Sequence, residues 1–186
     1  WGDWSAAAEQ AYAELAERCG KVAVVGLSMG GTLACWLGQR HLDVAGLVLI
    51  NPLVRSIPAD QVAAVQAMAD GGQRLMDGIG SDIALADATE LSYSQTPLGP
   101  LLSLLAGTDQ VNAELADIAC PVLLFSSRDD HVVPPESGDD VVAALGRRCE
   151  RVWLERSYHV ATLDYDREEI EARSTDFVLR VTGTDR

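Results

Sequence analysis

Apolar and polar residues are arranged along this chain in a way that predicts helices separated by short buried strands. In the first segment the apolar residues of one face recur every three or four positions, which predicts a helix from about Ser5 to Cys19, ended by Gly20. The residues predicted to face inward are Ala8, Ala11, Tyr12, Leu15 and Cys19. Four short apolar runs, bounded by turn residues or rich in β-branched side chains, indicate buried strands. These runs are Lys21–Val25, Gly46–Pro52, Pro121–Ser127 and Arg151–Glu155.

Helical patterns follow three of these strands. One runs from Met29 to about Arg40, a second from about Glu136 to Leu145, and a third begins near Asp166, where Glu169 is placed to complete a capping box. The inward stripe of the last helix is predicted to be Ile170, Ser174, Phe177, Val178 and Val181. The alternation predicts an α/β fold, with a mostly parallel sheet, helices on both faces and ligand sites at the carboxyl ends of the strands.

Residues 53–119 interrupt this alternation. They contain helical pieces such as Ala59–Asp70, which glycines and prolines break up, and no strand-like run. The length of 186 residues is that of one ordinary domain. We therefore predict a single domain over residues 1–186, with residues 53–119 as a small helical insertion that covers the main body.

Composition and charge exclude several classes of protein. The formal net charge is −14 and the pI is about 4.4, so the chain is expected to repel nucleic acid and anionic membranes. Its apolar stretches are far shorter than the ~20 residues needed to cross a bilayer, and no basic segment leads into an apolar one at the N-terminus. We predict neither a transmembrane helix nor a signal peptide.

The four cysteines, Cys19, Cys35, Cys120 and Cys149, each lie within or beside an apolar segment. None forms a C-x-x-C pair or clusters with histidine, so no metal site is expected. Buried free thiols are typical of a reducing compartment, and we predict a cytoplasmic protein. A cysteine nucleophile has little support.

The segment from Val24 to Trp36, VVGLSMGGTLACW, contains the strongest chemical signal. Its G-x-S-x-G pattern places Ser28 between a predicted strand and a predicted helix, which is the context of a nucleophile elbow. Gly26 and Gly30 would let strand and helix approach closely, and the N–H of Met29 would be one oxyanion donor. One alternative is that Ser28 only caps the helix. A second alternative is a phosphate-binding loop, but neither of its motifs, G-x-x-x-x-G-K-[ST] and G-x-G-x-x-G, is present.

A serine hydroxyl needs a base to take its proton, and three histidines are available. His41 precedes a predicted strand, which places it at the wrong end of the sheet and on the surface. The chain order expected for this fold is serine, acid, histidine, and only His159 lies downstream of every candidate acid at a strand end. Asp129 and Asp130 both follow the third strand, directly before His131, and either could orient the base.

Three stretches, GLSMGG, SSRDDHVVPPESG and SYHVATLDYDRE, together resemble the α/β-hydrolase superfamily, and within it the small bacterial carboxylesterases and monoacylglycerol lipases. In that group the acid is followed by one residue and then by a Val-Val-Pro-like stretch, which selects Asp130. The histidine is typically followed by an apolar stretch and an aspartate, which matches Val160 to Asp164. The WGDW at the start of the chain is also similar, so the resemblance spans nearly the whole sequence.

The resemblance implies a serine hydrolase that cleaves carboxylic esters through an acyl-enzyme, with no metal or organic cofactor. Ser28 would attack the carbonyl, His159 would accept and return the proton, and Asp130 would orient His159. Residues 53–119 would form a small cap whose Leu, Met and Ala side chains line a site for the acyl chain. The implied partner is a small-molecule ester with an apolar acyl chain.

Members of the group have further strands before the nucleophile strand, and a loop there with an HG-type motif supplies a second oxyanion donor. That region is missing here, so we expect the C-terminal part of a complete esterase, with the Lys21–Val25 strand at an unpaired sheet edge. Thioesterase, amidase and acyltransferase activities use the same residues and stay open as alternatives. A non-catalytic binding module has no need of Ser28, Asp130 and His159 together.

Overall fold

The central element is a parallel sheet, and a computed structural model describes the chain over residues 1–183. The strands are β1 (Val22–Leu27), β2 (Val44–Ile50), β3 (Leu75–Asp77), β4 (Gln95–Pro97), β5 (Val122–Ser127) and β6 (Cys149–Leu154). Within the main sheet β1, β2, β5 and β6 lie side by side in that order, and every pair is parallel. The remaining two strands, β3 and β4, pair with each other in a separate antiparallel ribbon.

Helices cover both faces of the main sheet. They are α1 (Gly2–Ala16), α2 (Met29–Arg40), α3 (Ala59–Asp70), α4 (Leu98–Ala113), α5 (Glu136–Leu145) and α6 (Arg167–Thr182). Alternate residues of β2 face opposite sides, so Leu47 and Leu49 share a core with α2 and α5, whereas Val48 and Ile50 share one with Phe177 of α6. The mostly parallel α/β architecture predicted from the sequence is confirmed. None of the helices described above is long and apolar enough to cross a membrane.

The sheet has an open edge at β1. In the described residues β1 pairs only with β2, Val25 is 55% exposed, and an apolar groove of about 370 Å³ lies between α1, β1 and α2. The open edge predicted for this strand is therefore present. Helix α1 borders the same groove, and for this reason Leu15, which was expected to face inward, stays 43% exposed.

The segment between β2 and β5 is not purely helical, and that part of the prediction is corrected. It contains α3 and α4, but also the ribbon of β3 and β4, in which Met76 lies opposite Thr96. Each ribbon strand has only three residues, too few for an alternating pattern to be visible in the sequence. The assignment of residues 53–119 as a cap stays a prediction.

Helix α6 begins after Asp166, as predicted, but the capping box with Glu169 does not form. The Asp166 carboxylate instead accepts hydrogen bonds from the Arg156 backbone N–H (3.0 Å) and the Ser157 hydroxyl (2.9 Å), while Glu169 pairs with Arg173. Burial alone would raise the pKa of the Asp166 carboxyl, but these hydrogen bonds and the Arg156 guanidinium outweigh it and lower the pKa below its ordinary value. Asp166 thus fixes the loop between β6 and α6.

The four cysteines are free thiols, and Cys35 and Cys120 are buried as predicted. Cys149 is half-buried, and burial raises the pKa of its thiol to about 11. The prediction is wrong for Cys19, which is exposed because α1 ends before it and does not bury it. The cytoplasmic location inferred from the cysteines stays a prediction.

Candidate active site

Ser28 occupies the turn between β1 and α2. Its backbone has φ 53° and ψ −118°, a conformation that costs a residue with a Cβ about 1–3 kcal/mol. Hydrogen bonds hold it there, since Ser28 N–H donates to Ile50 O (3.0 Å) and Ser28 O accepts from Leu53 N–H (3.2 Å). The surrounding backbone therefore fixes Ser28 at the carboxyl end of β1 in a strained conformation.

Glycines let the strand and the helix approach each other at this turn, but not at both predicted positions. A Cβ at Gly26 would lie 2.1 Å from Gly30 O, and a Cβ at Gly31 would lie 2.6 Å from Pro52 Cβ. A Cβ at Gly30 would meet no atom of the described residues within 4 Å outside its chain neighbours and the backbone of its own helix. The steric requirement is therefore at Gly26 and Gly31. The role predicted for Gly30 is corrected, because β1 approaches its backbone while its side-chain position is open.

We expect Gly26→Ala to destabilise the fold and Gly30→Ala to be tolerated. The new methyl group at position 26 would overlap the backbone of α2, which cannot swing aside as a flexible side chain would, and overpacking of this kind costs about 1–3 kcal/mol or more. Urea unfolding of the two variants measures the effect as a lower midpoint for Gly26→Ala alone. Equal midpoints would contradict the close approach at Gly26.

Asp130 and His159 meet beyond the carboxyl ends of β5 and β6. His159 Nδ1 lies 2.8 Å from Asp130 Oδ2, and the two side chains are 7% and 2% exposed. The other carboxylate oxygen, Oδ1, accepts from the backbone N–H groups of Val132 (2.9 Å) and Val133 (2.8 Å). Because a carboxylate only accepts, Nδ1 carries the proton of this hydrogen bond, so in the neutral tautomer Nε2 has the lone pair that a general base requires.

The other two histidines have different partners. The side chain of His131 is 59% exposed, pairs with Asp82 (2.8 Å) and packs edge-on against Tyr158. His41 pairs with Glu9 near the amino end of β2 and is half-buried rather than fully on the surface. The histidine that contacts the acid is therefore the one that chain order predicted.

Sequence reasoning missed Asn51, the residue directly after β2. Its Nδ2 donates to His159 O (2.8 Å) and Ser127 Oγ (2.9 Å), and its Oδ1 accepts from Ser127 N–H (2.8 Å). The side chain thus ties the ends of β2 and β5 to the loop that carries His159. The signal that could have found Asn51 is its position after a buried strand, which is also what pointed to Asp130.

Ser28 and His159 line one cavity of about 340 Å³. The segment between β2 and β5 supplies much of the remaining wall, including Ile79, Glu90, Ser92, Tyr93, Gln95 and Thr96. No Leu, Met or Ala of the segment is among the residues that line this cavity, so the prediction that these side chains line the acyl-chain site is wrong for this cavity. Three leucines of the segment, Leu98, Leu104 and Leu105 of α4, are buried instead.

Met29 is the first residue of α2, directly after Ser28. Its backbone N–H has no acceptor among the residues that the structure describes. The N-terminus of a helix carries a partial positive charge from its unpaired N–H groups, which favours a negative charge close by. Met29 N–H is thus free to donate to an anion that forms at Ser28.

A strained serine after a parallel strand, a buried histidine–aspartate pair at two further strand ends and a cavity that serine and histidine share define an α/β hydrolase. Within this class, the chain belongs to the family described as serine aminopeptidase, S33, whose model matches residues 2–166. The matched range includes Ser28, Asp130 and His159.

Similar proteins match along nearly the whole chain. It is 45% identical over 184 residues to the thermostable monoacylglycerol lipase of Bacillus sp. (strain H-257), a match that covers 97% of this chain and 72% of that lipase. A solved structure reported with the metagenome-derived lipolytic enzymes LipS and LipT is 39% identical, with a TM-score of 0.89 over 96% of this chain and 73% of its own. The monoacylglycerol lipase of Paleococcus ferrophilus, at 18% identity and a TM-score of 0.72 over 92% of this chain and 74% of its own, shares the fold.

Proposed function

We propose that this protein hydrolyses carboxylic esters through an acyl-enzyme formed on Ser28. The observation that supports this most is the cavity that Ser28 lines together with His159, whose ring is hydrogen-bonded to Asp130 at 2.8 Å. Nucleophile, base and orienting acid are the groups that acyl transfer requires, and a binding module has no use for all three.

In the first half of the reaction Ser28 Oγ attacks the ester carbonyl carbon while His159 Nε2 accepts the hydroxyl proton. Asp130 holds Nδ1–H and stabilises the imidazolium that forms. The carbonyl oxygen becomes an oxyanion, to which Met29 N–H donates. The intermediate then expels the alcohol, which takes the proton from His159 Nε2, and the acyl group stays bound to Ser28 Oγ.

Water completes the cycle in the second half. His159 takes a proton from water as the water oxygen attacks the acyl carbonyl. The second intermediate collapses, the carboxylic acid leaves, and the proton returns to Ser28 Oγ. Ester and water are thereby converted into acid and alcohol, and the enzyme is restored.

The lining of the cavity favours a substrate with one apolar and one polar part. Leu27, Ile79 and Val160 are apolar, whereas Gln95 and Thr96 offer hydrogen bonds. The volume of about 340 Å³ falls at the lower end of the range for small-molecule sites, about 300–1,000 Å³. A monoacylglycerol, the substrate in the name of the 45% identical relative, has both an apolar chain and a polar alcohol, and we propose substrates of this class.

A substrate panel tests the reaction type. We expect the complete protein to hydrolyse p-nitrophenyl esters and a monoacylglycerol, and to act more slowly by orders of magnitude on an acyl-CoA thioester and an amino acid p-nitroanilide. The anilide is included because the family description names an aminopeptidase. The ester hydrolysis that remains in a Ser28→Ala preparation gives the contribution of contaminating esterases. Faster turnover of the thioester or the anilide would contradict ester hydrolysis and favour a thioesterase or an amidase.

A further inference from the structure

Asp82 lies in the irregular stretch between β3 and β4, and its side chain is only 15% exposed. Its Oδ2 accepts from the backbone N–H groups of His131 (3.1 Å) and His159 (3.0 Å), and its Oδ1 lies 2.8 Å from His131 Nδ1. His131 directly follows Asp130. One carboxylate therefore binds both the loop of the proposed acid and the loop of the proposed base.

The main chain around His159 is held from two sides. On one side, Asn51 donates to His159 O (2.8 Å). On the other side, the Asp82 carboxylate accepts from His159 N–H and the Asp82 backbone O accepts from Val160 N–H (3.1 Å). Asn51 directly follows β2 of the main sheet, whereas both N–H groups donate to Asp82. The segment between β2 and β5 thus supplies the acceptors on the N–H side of the His159 loop.

A second carboxylate also connects the segment between β2 and β5 to the loop after β6, but it does not contact His159. Asp164 is buried and accepts from the N–H groups of Ala84 (2.7 Å) and Tyr158 (2.9 Å). It therefore docks the segment onto the loop between β6 and α6. Of these two carboxylates, Asp82 is the one that accepts from His159 N–H.

The charge of Asp82 suits this contact. Burial alone would raise the pKa of the Asp82 carboxyl, but the backbone N–H groups of His159 and His131 and the His131 ring outweigh it and lower the pKa below its ordinary value. The side chain therefore stays an ionised acceptor at neutral pH, and hydrogen bonds to an ionised acceptor are stronger than neutral ones.

We propose that Asp82 is a positioning residue, which fixes the His159 imidazole relative to Ser28 by accepting the backbone N–H groups of His131 and His159. The inference rests on the proposed roles of Ser28 and His159. Displacement of a reacting group by about 1 Å can cost about 10²-fold in rate. Without the Asp82 carboxylate, the N–H groups of His131 and His159 lose their acceptor, and only the bond from Val160 N–H to the Asp82 backbone O still connects this side of the His159 loop to the segment.

The test compares Asp82→Ala with Asp82→Asn in the complete protein, with p-nitrophenyl acetate as substrate. Asp82→Ala removes the acceptor, and we expect kcat to fall by about 10–100-fold with little change in KM. Asp82→Asn can keep its oxygen at the two N–H groups and turn its NH₂ toward the His131 ring. Because both N–H groups keep an oxygen acceptor, we expect this variant to stay within about threefold of wild type.

Asp87→Asn is the matched control. Asp87 is an exposed carboxylate of the same segment with no hydrogen-bonded partner in residues 1–183, and we expect wild-type kinetics.

The rate of Ser28 labelling by a fluorophosphonate should fall in Asp82→Ala by the same factor as kcat, because both depend on His159. Asp82→Ser replaces Asp82→Ala if the latter does not fold, and all rates are referred to the folded fraction from circular dichroism.

Three results would overturn the role of Asp82: wild-type kinetics in Asp82→Ala, an Asp82→Asn variant as slow as Asp82→Ala, or a rise in KM at unchanged kcat, which would indicate substrate contact instead. If wild-type protein is itself neither labelled on Ser28 nor active on esters, the proposed function fails. The two failures are thereby distinguished.

Discussion

Ser28→Ala is expected to abolish ester hydrolysis while the protein stays folded. The substitution removes Oγ, the proposed attacking atom, and places no larger group at a backbone with φ 53°. Loss of such a nucleophile costs on the order of 10⁶-fold in kcat. We expect hydrolysis of p-nitrophenyl acetate by the complete protein to fall to background, with an unchanged melting temperature. Fluorophosphonate labelling, present in wild type, should disappear.

Ser94→Ala is the control for this experiment. Ser94 is an exposed serine that follows the cavity residue Tyr93, but it does not line the cavity itself. Wild-type activity and labelling are expected. Ester hydrolysis that survives in Ser28→Ala at the wild-type rate would contradict the assignment of the nucleophile. A complete protein that is labelled in neither form would favour the binding module.

The second large effect is expected for Asp130→Asn. Because Oδ1 accepts the N–H groups of Val132 and Val133, the amide oxygen is retained on that side and the NH₂ group faces His159 Nδ1. An NH₂ group only donates, so Nδ1 must lose its proton and Nε2 must carry it. The imidazole is then in the wrong tautomer to accept from Ser28. A defect of this kind costs about 10⁴-fold in kcat in a Ser-His-Asp triad.

Steady-state kinetics of Asp130→Asn and Asp129→Asn measure this difference. Asp129 is the exposed neighbour of Asp130 and carries the same charge, so its substitution controls for the loss of one negative charge near the site. We expect wild-type kinetics for Asp129→Asn. A similar loss in both variants, or an active Asp130→Asn, would contradict the choice of acid.

The main sheet could be predicted because its signals are local. Strands buried on both faces, such as β2 and β5, are continuous apolar runs, and α2 begins and ends at the predicted Met29 and Arg40. The ribbon of β3 and β4 is too short to leave a pattern. The exposure of Leu15 depends on which element packs against α1, and the spacing of apolar residues within one helix does not show what its neighbour is.

The site could be predicted in part, because the carboxyl ends of parallel strands lie along one edge of a sheet. This placed Asp130 and His159 near each other, and the structure brings them to 2.8 Å. Their catalytic roles, and that of Ser28, stay predictions. Asp82 could not be found in this way, because it lies in an irregular stretch and its partners include backbone N–H groups, which no side-chain pattern reveals.

The claim that Ser28, His159 and Asp130 act as one unit is tested most directly by a crystal structure of the complete protein after reaction with an alkyl fluorophosphonate. We predict phosphorus bonded to Ser28 Oγ, a phosphonyl oxygen within hydrogen-bond distance of Met29 N–H, and His159 Nε2 about 3 Å from Ser28 Oγ. An adduct on another residue, or a His159 ring turned away from Ser28, would contradict the proposed catalytic unit.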